Sequence, residues 1–145
     1  MTTATASAPN IQTSVIRGII GGIAGGIVFG MMMAMMNMLP MVGMLIGNDS
    51  AIVGFGVHMV ISIVFGAVYG VVATRIPSSW GVVVGVGVVY GVILWVAGAL
   101  VIMPLMLGMN EMVLQIGEMQ WQSLMGHVIF GVILTIVYKV QSDRK

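Results

Sequence analysis

Two histidines, His58 and His127, stand inside otherwise apolar stretches of this 145-residue chain and carry its clearest potential for chemistry. Read as helices, their segments place His58, Ser62, Phe65 and Tyr69 on one face, and His127, Gly131, Leu134 and Tyr138 on another, each set spaced i, i+4, i+7, i+11. Fifteen of the sixteen methionines fall within 31–59 or 103–125, so thioethers gather around the same two zones. Met31 with Met35, and Met32 with Met36, would stack one turn apart on a helix. Imidazole and thioether are soft ligands that suit Cu(I). His58, His127, Met31 and Met59 are therefore the candidate metal ligands. Two imidazoles at one depth on separate helices would also meet the ligand demand of a bis-His haem b. Haem propionates want basic partners, however, and every Lys and Arg belongs to the opposite end of the segments, which favours Cu(I) over haem. The packing alternative stands beside both: a neutral imidazole bonded across helices, with Met filling irregular gaps.

Catalytic arrangements are poorly supplied. Cys is absent, and the four acids (Asp49, Glu111, Glu118 and Asp143) all lie outside the apolar runs. A Ser-His-Asp set would need a water-accessible cleft that nothing here supplies. A carboxylate-driven antiporter lacks its membrane-embedded acid. The expectation is a protein that is not an enzyme.

The elements that must position these groups follow from where charge is missing. Apolar residues make up 59% and charged residues 6% of the chain, and the mean hydropathy is +1.14. Soluble domains keep roughly a quarter of their residues charged, so a water-soluble fold is excluded, as is a nucleic-acid binder that needs a basic field. Residues 18–48, 50–74, 76–110 and 119–138 are charge-free runs of 31, 25, 35 and 20 residues. A helix needs about 20 apolar residues to cross the hydrocarbon core, so each run holds one crossing. Spans are expected near 17–39, 51–74, 80–103 and 120–139. The fold class is all-α: a polytopic membrane protein of four transmembrane helices, with the lipid bilayer as its first partner. Both histidines then lie about 10 Å into their spans, at 1.5 Å per residue.

Orientation follows from the basic residues. Arg17, Arg75, Lys139, Arg144 and Lys145 fall on one side, and the loops of the other side hold only Asp49, Glu111 and Glu118. The positive-inside rule puts both termini in the cytoplasm of a cell whose plasma (inner) membrane holds the chain. Cysteines introduced at Ser50 and Ser79 are expected to react with an impermeant maleimide from opposite sides. Labelling of both from outside would overturn the topology.

The chain reads as duplicated. A shift of 65 lays Gly22, Gly26, Ala34, Met38, Met41, Gly43 and Met44 on Gly87, Gly91, Ala99, Met103, Met106, Gly108 and Met109. A shift of 69 lays His58 on His127 and Tyr69 on Tyr138. Each two-span repeat, 15–76 and 77–140, keeps the orientation of the other, because two crossings return the chain to its starting side. Small residues at four-residue spacing let helix backbones approach closely where no hydrophobic drive exists. Gly18, Gly22, Gly26, Gly30, Gly66, Gly70, Gly87 and Gly91 are the expected packing positions, within the bundle or between copies in a homo-oligomer.

Outside the spans, residues 1–14 are small and polar and read as a disordered tail, without the basic start or short apolar run of a signal peptide. Residues 141–145 read as a short cytoplasmic tail. Between the last two spans, the outer loop 104–119 separates Met109, Met112, Val113 and Ile116 from Asn110, Glu111, Gln115 and Glu118, as a surface amphipathic helix would.

The runs RGIIGGIAGGIVFGMMMAMM, VGFGVHMVIS and SLMGHVIFG resemble a group of small four-span, Gly/Met-rich prokaryotic membrane proteins. That resemblance implies the architecture and carries no activity with it. Small multidrug transporters are a poorer match, since their embedded Glu is missing. Three functions stay open: metal handling or transport through the outer Met/His zone, an accessory subunit of a larger membrane complex, and a haem-bearing redox anchor.

Overall fold

In a computed structural model, residues 10–144 are described, and every regular element among them is helical. In chain order these are α1 (Ile11–Met35), a short α2 (Leu39–Gly43), α3 (Ala51–Ala73), α4 (Trp80–Leu94), α5 (Met103–Met106) and α6 (Glu118–Asp143). A π-helical stretch, Trp95–Ile102, joins α4 to α5, so Trp80–Met106 forms one long segment. Four helices are long and apolar enough to cross a membrane: α1, α3, Trp80–Met106 and α6.

The first span differs from expectation at both ends. It begins at Ile11 because the Asn10 side-chain oxygen accepts from the Gln12 amide at 3.0 Å, capping the helix. Ser14, counted with the polar tail by its type, is fully buried; its hydroxyl donates to the Gly70 carbonyl at 2.6 Å and meets the Tyr138 hydroxyl. The rest of the expected tail, 1–9, lies outside the described residues. At the other end α1 stops at Met35, ahead of Pro40, and the chain reverses through Asn37 in the left-handed region (φ 55°). Asn tolerates that region because its short polar side chain bonds locally. Pro40 then opens α2, where a missing amide costs nothing.

The outer loop is not an amphipathic helix over 104–119. α5 ends at Met106, a single 3-10 turn covers Asn110–Met112, and the chain is then irregular up to α6. Gly108 sits at φ 70°, and the segment between it and Gly117 is too short to offset the cost of helix nucleation. The loop is instead pinned to the π stretch by the Leu114 amide, which donates to the Leu100 carbonyl at 2.9 Å, and Trp95 Nε1 ties the same stretch to the first turn of α6 through the Gln120 carbonyl at 2.9 Å. The supposed tail after 140 is also helical, since α6 runs on to Asp143.

α1 is the hub of the bundle. It packs along α3 on one side and α6 on the other, and α6 packs in turn on α4. The small residues explain the closeness. A Cβ on Gly18 would strike the Gly66 carbonyl and lie 2.9 Å from the Gly70 Cα; one on Gly22 would lie 3.0 Å from the Gly66 Cα. Gly26 abuts Ser62, Gly30 abuts Phe55, and Gly70 abuts the backbone of Ser14 and Val15. In the second hairpin, Gly87 meets Gly131, Val132 and Thr135, while Gly91 meets His127 and Val128. Phe29, Met33, Tyr69, Leu94, Phe130 and Leu134 fill the space these approaches leave.

Candidate functional site

The zone around the two histidines is organised by Phe29 on α1. Its ring stands edge-on to both imidazoles, with centroid separations of 5.2 Å to His58 and 4.8 Å to His127. The pair expected to face each other therefore shares one phenyl ring as its neighbour. Each imidazole also uses a nitrogen on a backbone carbonyl, which can only accept. His58 Nε2 donates to Gly26 on α1 at 3.0 Å, and His127 Nδ1 donates to Ser123 of its own helix at 2.8 Å. Ser62 and Ser123 hydroxyls lie within reach of the same two nitrogens. In the neutral rings, the remaining nitrogens are Nδ1 of His58 and Nε2 of His127.

The methionines divide. Met59 sulfur lies beside Gly26, the residue whose carbonyl holds His58, so these two candidates share one place. Met31 is 61% exposed on the outer surface of α1 while His58 is buried, and nothing brings the two together. Among the described residues, no three His or acidic side chains gather in a way that could hold a metal ion.

A second zone lies where the helices begin and end: the start of α1, the end of α3, the start of α4 and the end of α6. Tyr69 is its floor, its ring edge-on to Tyr138 at 5.4 Å and tilted against Tyr90 at 5.5 Å. Tyr90 is tied across to α3 by a bond from its hydroxyl to the Phe65 carbonyl at 2.7 Å. Below this floor opens a cavity of about 780 Å³, lined by Asn10, Thr13, Arg17, Ile76, Val83, Lys139, Ser142 and Asp143 among others. Lys139 is 8% exposed, its ammonium 2.9 Å from the Asp143 carboxylate and 4.9 Å from the Trp80 ring centre. The ammonium over the indole face and against a carboxylate is how a lysine this buried is accommodated.

Sequence reasoning used Arg17 and Lys139 only for orientation and missed the cavity. One signal was there: Asn10, Thr13 and Arg17 are spaced i, i+3, i+7 and share a helical face, opposite the closing turns of α6. That α1 reached back to Asn10 was the hidden step.

Comparison with family models, with curated proteins and with solved structures found no match. Geometry alone therefore carries the description: a small all-helical protein with four helices long and apolar enough to span a membrane.

Proposed function

We propose that this chain is a non-enzymatic membrane protein that binds a small ligand in the cavity at its basic end, beneath a bundle that stays closed. The observation carrying this reading is the division of polar groups between the two zones. In the closed centre, one nitrogen of each imidazole is held on a backbone carbonyl, and Phe29 and fully buried Leu134 fill the axis. At the basic end, Arg17 lines an open cavity and makes no ion pair among the described residues. Pockets of 300–1,000 Å³ with a few convergent polar groups are the usual size for small-molecule sites.

The tandem-repeat reading is supported by the contacts themselves. Gly22 meets Ser62 and Gly66, and Gly87 meets Gly131 and Thr135, which are the same positions under the shifts of 65 and 69. Gly26 with Met59 and Gly91 with Val128 correspond in the same way. The cytoplasmic placement of the basic end rests on the positive-inside rule.

A second reading, soft-cation handling, is favoured by Met59 sulfur and the His58 ring both lying at Gly26. One experiment weighs both. Native mass spectrometry of the protein released from neutral detergent should show a one-to-one small-molecule adduct that is lost in Thr13→Trp, where an indole fills the cavity. The same spectra after Cu(I) loading decide the second reading: a copper adduct lost in His58→Ala supports it, and no copper adduct removes it. A parent with neither adduct favours an accessory subunit of a larger complex.

A further inference from the structure

The geometry points to a phosphate ester as the ligand of the basic-end cavity: we propose that Arg17 receives the phosphate, with Lys139, released from Asp143, as the second cationic donor. This rests on the cavity-binding reading above. Among the described residues, three charged side chains line the cavity, Arg17, Lys139 and Asp143, and their sum is positive by one. The carboxylate is already engaged by Lys139 at 2.9 Å. Among the described residues, the half-buried Arg17 side chain reaches only the Ser142 hydroxyl, at 3.4 Å. Its fork of N–H donors is thus largely uncommitted among the described residues, and that fork matches two oxygens of a phosphate at once.

The neighbours suit an oxyanion with several acceptor oxygens. Thr13 and Asn10 supply neutral donors on the same wall as Arg17, while the Ser142 hydroxyl, on the facing helix, gives its proton to the Tyr138 carbonyl. A carboxylate would leave part of that set unused. Asp143 is the opposing element: its side chain is 54% exposed and bonded to Lys139, the lysine among the described residues that lines the cavity. An arriving phosphate competes with it for Lys139, so Asp143 sets the affinity from the outside. The volume, about 780 Å³, greatly exceeds a bare phosphate ion, and Ile76 and Val83 add apolar wall. The space leaves room for the rest of a larger molecule, a phospholipid headgroup or a soluble phosphate ester.

The test is a titration followed by ³¹P NMR, on full-length protein in a neutral maltoside detergent. Three probes are used: dihexanoyl-phosphatidylglycerol, glycerol 3-phosphate, and zwitterionic dihexanoyl-phosphatidylcholine. Saturable binding of an anionic probe is expected, weakened about tenfold or more in Arg17→Gln, as loss of a charge-assisted pair implies. Recovery in Arg17→Lys should be partial, because the fork is lost and the charge kept. Asp143→Asn should tighten binding about threefold or more by removing the competing carboxylate. Preference for the phosphatidylglycerol identifies the lipid source, and preference for glycerol 3-phosphate the soluble one. Zwitterionic probe bound as tightly, and unaffected by Arg17→Gln, overturns the phosphate assignment while leaving the cavity reading intact. So does an adduct in native spectra with no binding of either anionic probe. If Arg17→Gln fails to fold, Asp143→Asn decides: unchanged or weaker binding sinks the proposal. Absence of any adduct or probe binding fells the cavity reading itself.

Discussion

Leucine at Gly22 or Gly66 is expected to unseat the first two spans from one another and to cost the largest share of stability of any single change in the bundle. The two residues face each other: a Cβ on Gly66 would lie 2.9 Å from the Gly22 Cα, and a Cβ on Gly22 would meet the Ser62 carbonyl. Backbone atoms cannot step aside as a flexible side chain can, so the helices must separate. Within lipid there is no hydrophobic drive to hold them once close contact is gone. A loss of about 3 kcal/mol, the upper range for overpacking, is the expected scale. Thermal unfolding in detergent, scored by circular dichroism and by retention of the parent's size-exclusion peak, reads it. Gly85 is the control, because nothing lies within 4 Å of a Cβ built there. Gly85→Leu should shift stability by no more than about 0.5 kcal/mol, as surface changes do. Equal effects at Gly22, Gly66 and Gly85 would mean that close approach is not what joins these helices.

Phe29→Ala should produce a loss of comparable size and should expose both histidines together. Phe29 is 5% exposed and touches His58 on α3, His127 on α6 and Gly126, where a Cβ would overlap its ring. Removing the phenyl leaves a hole between three helices, at roughly 3 kcal/mol, the low end for aromatic truncation. The low end applies because the unfolded reference in a membrane also keeps the ring out of water. Phe29→Leu should recover a good part, since Leu94, the counterpart of Phe29 under the 65-residue shift, is itself a buried leucine. Carbethoxylation of the two imidazoles should rise in Phe29→Ala relative to the parent, measured by peptide mass. Unchanged stability together with unchanged modification would show that Phe29 is not the element that covers them.

Charge and composition were enough to determine four spans, and to gather Arg17, Arg75, Lys139 and Arg144 at one end of them. The reason is one-dimensional: a charge within hydrocarbon costs several kcal/mol wherever the helix packs, so its absence marks a crossing without knowledge of neighbours. The glycine spacing likewise marked the tight seams, because only a missing Cβ permits that approach. Other features depended on partners distant in sequence. Ser14 belongs to a helix because the Gly70 carbonyl, 56 residues away, receives its hydroxyl. The facing of His58 and His127 was legible as periodicity, but periodicity assigns a face without saying what fills the axis. Tertiary packing put Phe29 there and turned one nitrogen of each ring onto a carbonyl. The cavity was least legible of all, since it is the space left when four helix ends fail to meet. Its lining comes from both ends of the chain, from Asn10 to Asp143. A helical period relates residues one turn apart, whereas the width of a gap is set by how closely separate helices pack, and that only the assembled bundle decides.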